Sequence, residues 1–240
     1  DRMELNTDLA GEDEGSDYIL SYLPKIEQET FTVGASYRHY AGRHVQTYVL
    51  SHNYLNDKNL KYRNNDESTE ENLTLRLRST EQKTTFRAEN MTTLSGGWTL
   101  KEGAELNYMD YTDQLVLTGA LNDIGEALTE NVPNSYRMGI ELMLGIKPCK
   151  WFQWDINATW SKNRIKNFVE NIPIYDGWNL LDIVSVSHKS TRIAFSPDFL
   201  LNNRFAFTYQ GFEAALQSQF VGKQYMTNAE VEALTLDKYF

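Results

Sequence analysis

Cysteine, proline and histidine are scarce: one, five and four in 240 residues. A single thiol, Cys149, excludes an internal disulfide framework and a cysteine-cluster metal site. Basic residues number 23 against 33 acidic ones, and a net charge of −10 argues against nucleic acid as the partner. No apolar run approaches the ~18 residues that a membrane-crossing helix needs. That leaves barrel strands open, since each crosses in about 9–11 alternating residues and keeps a polar lumen face. The opening stretch "DRMELNTDLAGEDEG" has neither a basic start nor an apolar run, so it does not read as a signal peptide. The chain is expected to be a processed form or an internal piece of a longer one.

Chemistry-bearing motifs are missing too. There is no nucleophile elbow, no phosphate-cradling Gly–Lys loop and no HExxH pair. "DLAGEDEGSD", within an acidic loop over 8–17, has carboxylates without the spacing or closing Glu of a calcium loop. His39 and His44 flank a short turn and read as a solvated turn rather than a metal pair. No catalytic, cofactor-binding or metal-ligating residue is assigned, no cofactor is expected, and the chain is expected not to be an enzyme.

What the sequence has is alternation. Aromatics make up 12%, with 14 Tyr and 11 Phe, which favours strands. "WFQWDINATW" puts Phe152, Trp154, Ile156, Ala158 and Trp160 on one parity and Gln153, Asp155, Asn157 and Thr159 on the other. "SYRMGIELMLGI" does the same with Met138, Ile140, Leu142 and Leu144 against Arg137, Glu141 and Met143. Residues 98–108, 199–209, 212–220 and 31–37 repeat the pattern, with Glu102 an exception on an apolar face. In 73–94 the apolar parity changes between Leu77 and Phe86, which requires a bulge or a long excursion out of the apolar layer. Eight strands are expected, at 31–40, 44–62, 72–94, 98–111, 135–146, 151–167, 191–209 and 212–226.

The connections alternate in length. "AGR", "SGG", "KPCK" and "QG" are short, whereas 63–71, 112–134, 168–190 and 227–240 are long and polar. Short turns at one end and long loops at the other are the asymmetry of outer-membrane barrels. Trp98, Trp151, Phe152, Trp154 and Phe212 follow closely on short turns, where an interfacial girdle would lie. The charges Arg87, Glu89, Arg137, Glu141, Asp155 and Arg204 fall on the lumen parity and are expected to pair across strands or with whatever fills the lumen.

"TFTVGASYRHYAGRHVQTYVLSHNYLNDKNLKYRNNDES", "YTDQLVLTGALNDIGEALTENVPNSYRMGIEL", "SPDFLLNNRFAF" and "LQSQFVGKQYMTN" together resemble the barrel of Bacteroidetes-type TonB-dependent outer-membrane receptors. No single motif carries the resemblance; their order and spacing over most of 31–228 do. It implies an all-β, transmembrane antiparallel β-barrel of about 22 strands, closed by a plug. The whole chain, 1–240, would be a C-terminal barrel segment of about eight strands, without the plug and the final strand or strands. "EVEALTLDKYF" has polar residues on the parity of Phe240 and reads as a loop or the start of a strand.

The implied activity is TonB-dependent import of a scarce nutrient across the outer membrane of a Gram-negative bacterium. The cargo would be a ferric siderophore, haem, cobalamin or a glycan, with the loop lengths favouring a metal chelate. The implied partners are the plug of the same protein, the TonB complex through the N-terminal part, outer-membrane lipid and the nutrient. In the loop 172–184, Tyr175 and Trp178 are the candidate ligand-facing residues, against a role in packing the loop. Three other readings compete: a complete eight-stranded anchor or passive pore, a soluble all-β carbohydrate-binding module, and a barrel protease or lipase. The last lacks a His with a Ser or Asp partner at an outer strand end.

Overall fold

The structure is a computed structural model that describes residues 2–3, 25–121, 127–177 and 179–240. It is all-β. Its main strands are β1 (Arg2–Met3), β2 (Lys25–Ala41), β3 (His44–Tyr62), β4 (Leu73–Thr93), β5 (Thr99–Leu121), β6 (Ala127–Cys149), β7 (Phe152–Asp176), β8 (Asn179–Arg192), β9 (Phe199–Tyr209) and β10 (Phe212–Val221). They form one antiparallel sheet in the order β1-β2-β3-β4-β5-β6-β7-β9-β10, with β8 also paired to β7. A small two-stranded sheet, β11 (Gln224–Tyr225) and β12 (Thr235–Leu236), lies in the tail.

Neighbours in sequence are neighbours in space because each short connection is a tight hairpin. Gln210 and Gly211 both have positive φ, 49° and 86°, which suits a two-residue turn to the right-handed twist of β9 and β10. The register then carries each side chain's parity across the whole sheet. One row reads Ala35, Leu50, Phe86, Leu106, Ile140, Trp160, Phe199. Another reads Tyr37, Tyr48, Ala88, Ala104, Leu142, Ala158, Leu201, Phe220. The opposite face carries Arg38, Thr47, Glu89, Gly103, Met143, Asn157, Asn202 and Gln219 in one row. The parity assigned to Ile140, Leu142, Trp154 and Ile156 against Glu141 and Asp155 is the one observed.

The apolar face is uncovered. Phe31, Leu106 and Leu216 are 60%, 50% and 66% exposed, and Tyr40, Trp98, Trp151, Tyr209 and Phe212 stand exposed beside the short turns. A water-soluble sandwich would pack a second sheet against such a face; none lies there among the described residues.

Several expectations need correction. Residues 112–134 and 168–190 are not irregular loops. β5 runs on to Leu121, β6 begins at Ala127, and β7 and β8 pair up to Asp176 and Asn179. At 23 residues and ~3.3 Å each, β5 is about 75 Å long, far more than the ~30 Å hydrocarbon layer needs. The outer halves of these strands therefore project as two hairpins. The expected strand 191–209 is interrupted: β8 ends at Arg192, residues 193–198 leave the ladder, and β9 resumes on the same edge of β7. Phe195 has a φ of 54° within this excursion. β2 starts at Lys25 rather than 31, and β10 ends at Val221 rather than 226.

The parity change in β4 needs no bulge where it was expected. Pairing with β3 is unbroken from Thr92 to Leu75 and shifts only where Tyr62 meets Leu73. Leu75 and Leu77 share the concave parity with Arg87, so the strand takes the second option and extends beyond the apolar layer.

At the other end, the Tyr239 N–H donates to the Val221 carbonyl (3.0 Å) and the Val221 N–H to the Tyr239 carbonyl (2.9 Å). Tyr239 thus forms a single antiparallel bridge to the end of β10. The acidic loop over 8–17 lies outside the described residues.

Candidate functional site

The sheet curls so that Arg38 of β2 and Gln217 of β10 line one cavity of about 640 Å³ with residues of the strands between them. Its lining mixes apolar side chains such as Val45, Met91 and Met143 with amides and charges of both signs. Arg204 on β9 lies 3.6 Å from Asp155 on β7, and Gln153 donates to the Asp155 carboxylate at 2.8 Å. Asn157 donates to Glu141 at 2.7 Å, and Arg87 lies 3.5 Å from Glu89 two residues along its own strand. The Arg137 guanidinium sits 5.3 Å above the Tyr111 ring. All six charges assigned to the lumen parity are thus on the concave side, and they engage neighbours on that side.

Not every polar atom there is matched. Asp57 Oδ1, Asn59 Oδ1, Arg137 Nε and Asn157 Oδ1 are buried with no hydrogen-bond partner among the described residues. All four belong to side chains of concave parity. A buried polar atom left unpaired costs ~1–3 kcal/mol.

The long-loop rim is a second built feature. At the roots of the two projecting hairpins, Val116, Val132, Ile165, Phe168 and Ile193 form a buried cluster, with Ala229 of the tail packed on it. Asn167 between Ile165 and Phe168 has a φ of 54°, as Asp113 before Val116 has 53°. These left-handed residues re-aim the side chains that follow them. The tail is stapled to the gap between β8 and β9. Asn228, 1% exposed, accepts from the Ala194 N–H at 2.9 Å. Glu230 accepts from Arg164 Nη1 at 2.5 Å and from the Arg192 backbone N–H at 2.7 Å. Arg192 also reaches Asp198 at 3.1 Å and lies 5.3 Å over the Tyr225 ring.

Burial raises the Glu130 carboxyl above its usual range, and the hydrogen bond from Asn228 offsets this in part. Its folded pKa therefore exceeds its unfolded value. The folded state holds the proton more tightly, so this group favours folding below the unfolded pKa and loses that advantage as pH rises through the folded pKa. Glu130→Gln, which keeps the acceptor and removes the charge, is expected to raise the melting temperature at neutral pH. The gain should vanish below the usual carboxylate pKa; melts at both pH values in the same detergent check this.

The backbone of Tyr175 lies at the tip of the β7–β8 hairpin, paired with Leu180. Trp178 lies outside the described residues. The structure does not bring His39 and His44 into one site. His39 stacks on Tyr37 (centroids 6.4 Å apart), while His44 Nδ1 hydrogen-bonds Thr92 Oγ1 at 2.9 Å. Among the described residues no group of three or more His, Cys, Asp or Glu side chains is arranged to hold a metal ion. Sequence reading missed Asn228 and Glu230, because "TNAEVEAL" has the composition of any solvated loop and nothing in it marks two partners 34 and 38 residues away.

No family model matches the chain, and no curated protein does. Among solved structures it is similar to the ferric-catecholate import receptor Fiu from E. coli K12 in its closed form. The identity is 11%, the match covers 90% of this chain and 47% of that one, and the TM-score is 0.24. The chain thus spans about half the length of that receptor. A TM-score this low carries no argument about function.

Proposed function

We propose that the chain is part of the wall of a TonB-dependent outer-membrane receptor that imports a scarce nutrient. The observation that carries the reading is the division of one continuous sheet into an uncovered apolar convex face and a polar concave face. The first suits lipid, and the second suits a filled lumen. The hairpin asymmetry supports it, with two- to five-residue connections at one end and long projecting hairpins at the other. Closure as an eight-stranded anchor would need β2 to pair with β10, and among the described residues they do not pair.

On this reading the segment contributes wall and outer hairpins, not catalytic groups, and resides in the outer membrane. The cargo belongs to the set of ferric siderophore, haem, cobalamin or glycan. Uptake by cells with and without the full-length protein tests the proposal, each cargo class being supplied in turn as the limiting nutrient. Uptake of one class is expected to depend on the protein and to stop when the proton gradient is collapsed. Undiminished uptake of all four in its absence would overturn the proposal.

A further inference from the structure

One row of the convex face breaks the apolar pattern. It reads His39, Gln46, Asn90, Glu102, Leu144, Ile156, Asn203, Ser218. The two halves of the row are managed differently. Asn203 accepts from the Trp154 indole N–H at 2.5 Å, so a neighbouring aromatic masks it. At the other half, Asn90 Nδ2 donates to Glu102 Oε1 at 2.8 Å and to Thr92 Oγ1 at 3.0 Å, and His44 contacts the same hydroxyl. This network orients the Glu102 carboxylate without neutralising it. Among the described residues Glu102 has no ion-pair partner, and its side chain is exposed.

A concavity of about 190 Å³ opens beside it, lined by Gln46, Tyr48, Ala88, Asn90 and Glu102. The small Ala88 side chain forms the floor, between larger neighbours. The lining combines an anionic acceptor, a second amide and an aromatic ring on one wall. Such a set matches a primary ammonium, which donates three N–H bonds and is attracted to an aromatic face. Trp98, an exposed interfacial aromatic, lies four residues before Glu102 on the same side of the sheet, so the concavity is near the short-turn border of the apolar band. A carboxylate without a counter-charge deeper in that band would be costly, and at the border it meets lipid headgroups.

Resting on the reading that this face meets a bilayer, we propose that the concavity is a binding site for a phospholipid headgroup ending in a primary ammonium. Glu102 is its charged acceptor and Tyr48 its aromatic wall.

The test uses the full-length protein reconstituted in vesicles of phosphatidylethanolamine and phosphatidylcholine in equal amounts, followed by native mass spectrometry of the lipids it retains. The two zwitterions differ in the N–H donors that the trimethylated headgroup lacks. The wild type is expected to retain the ethanolamine lipid about tenfold over the choline lipid, the size of one lost charge-assisted hydrogen bond. Glu102→Gln should abolish the preference, and Glu105→Gln, on the concave face, should keep it. Equal retention of both lipids by the wild type, or an unchanged preference in Glu102→Gln, would overturn the proposal. The wild-type comparison needs no variant to fold. Carbodiimide coupling of Glu102 to a lysine of a co-purifying protein would also overturn it, in favour of a protein partner. Failure of the wild type to insert, with neither lipid retained, would instead sink the bilayer reading beneath it.

Discussion

Leu142→Arg is expected to destabilise the protein by about 2–4 kcal/mol if it lies near the bilayer midplane, and Met143→Arg by much less. The two positions are adjacent in sequence and opposite in environment. Leu142 lies in the row between Ala104 and Ala158, with small neighbours on both strands and its own side chain exposed on the convex face. A guanidinium there has no protein acceptor to reach and must draw water or headgroups into the apolar layer. Met143 lines the concave cavity with Glu89, Asp155 and Asn157. An arginine placed there has carboxylates in its vicinity and a polar surface to lie on. Equilibrium unfolding in urea from lipid vesicles, with intrinsic Trp fluorescence as the signal, gives both values. Equal penalties would contradict the two-faced reading of the sheet.

Such a contrast was legible in the sequence because strand parity is a local signal. Trp154 to Trp160 alternate without interruption and Ile140 to Leu144 do so with Met143 as the one apolar residue on the polar parity, and a slip of one residue would turn every apolar group to the lumen. The short turns were legible for a similar reason, since "QG" and "SGG" supply residues that tolerate positive φ. What remained hidden depends on contacts between distant segments. "LVLTGAL" and "DIVSVSHKS" read as polar loops, yet they pair as hairpin strands whose roots enclose Val116, Val132, Ile165 and Phe168. The left-handed Asp113 and Asn167 interrupt the extended backbone there, and the register shifts further out, between Leu117 and Leu121 and between Ile174 and Tyr175. The break at 193–198 was missed although Ser196, Pro197 and Asp198 mark a turn, because the apolar residues on either side continue the alternation. Its place outside the ladder depends on Asn228 and Glu230, which the chain supplies more than thirty residues later. Of the candidate site, the concave charges were legible from parity alone. The polar convex concavity showed only as an anomaly at Glu102, since its partners Asn90 and Thr92 come from the neighbouring strand.

On intact cells, a membrane-impermeant maleimide is expected to leave Cys149 unmodified and to label a cysteine introduced at Asn179. Cys149 ends β6, pairs with Phe152 across the two-residue turn Lys150–Trp151, and is partly exposed. It is the one thiol of this segment, so in the full-length protein any cysteine elsewhere is first replaced by serine. Asn179 begins β8, exposed, at the far end of the hairpin that carries Tyr175. The physical reason for the sidedness is asymmetry of the edges. Tight turns suit the side that must cross the membrane during assembly, and long projecting hairpins suit the side that meets ligand. β7 alone spans 25 residues, of which about 9–11 suffice to cross, and its excess lies wholly beyond Trp160. Permeabilising the outer membrane should then expose Cys149 to the reagent, which separates a periplasmic thiol from an unreactive one. Labelling of Cys149 on intact cells with Asn179→Cys silent would mean an inverted sheet. Equal labelling of both would mean that no bilayer lies between the two ends, and the convex apolar face would then require a protein cover.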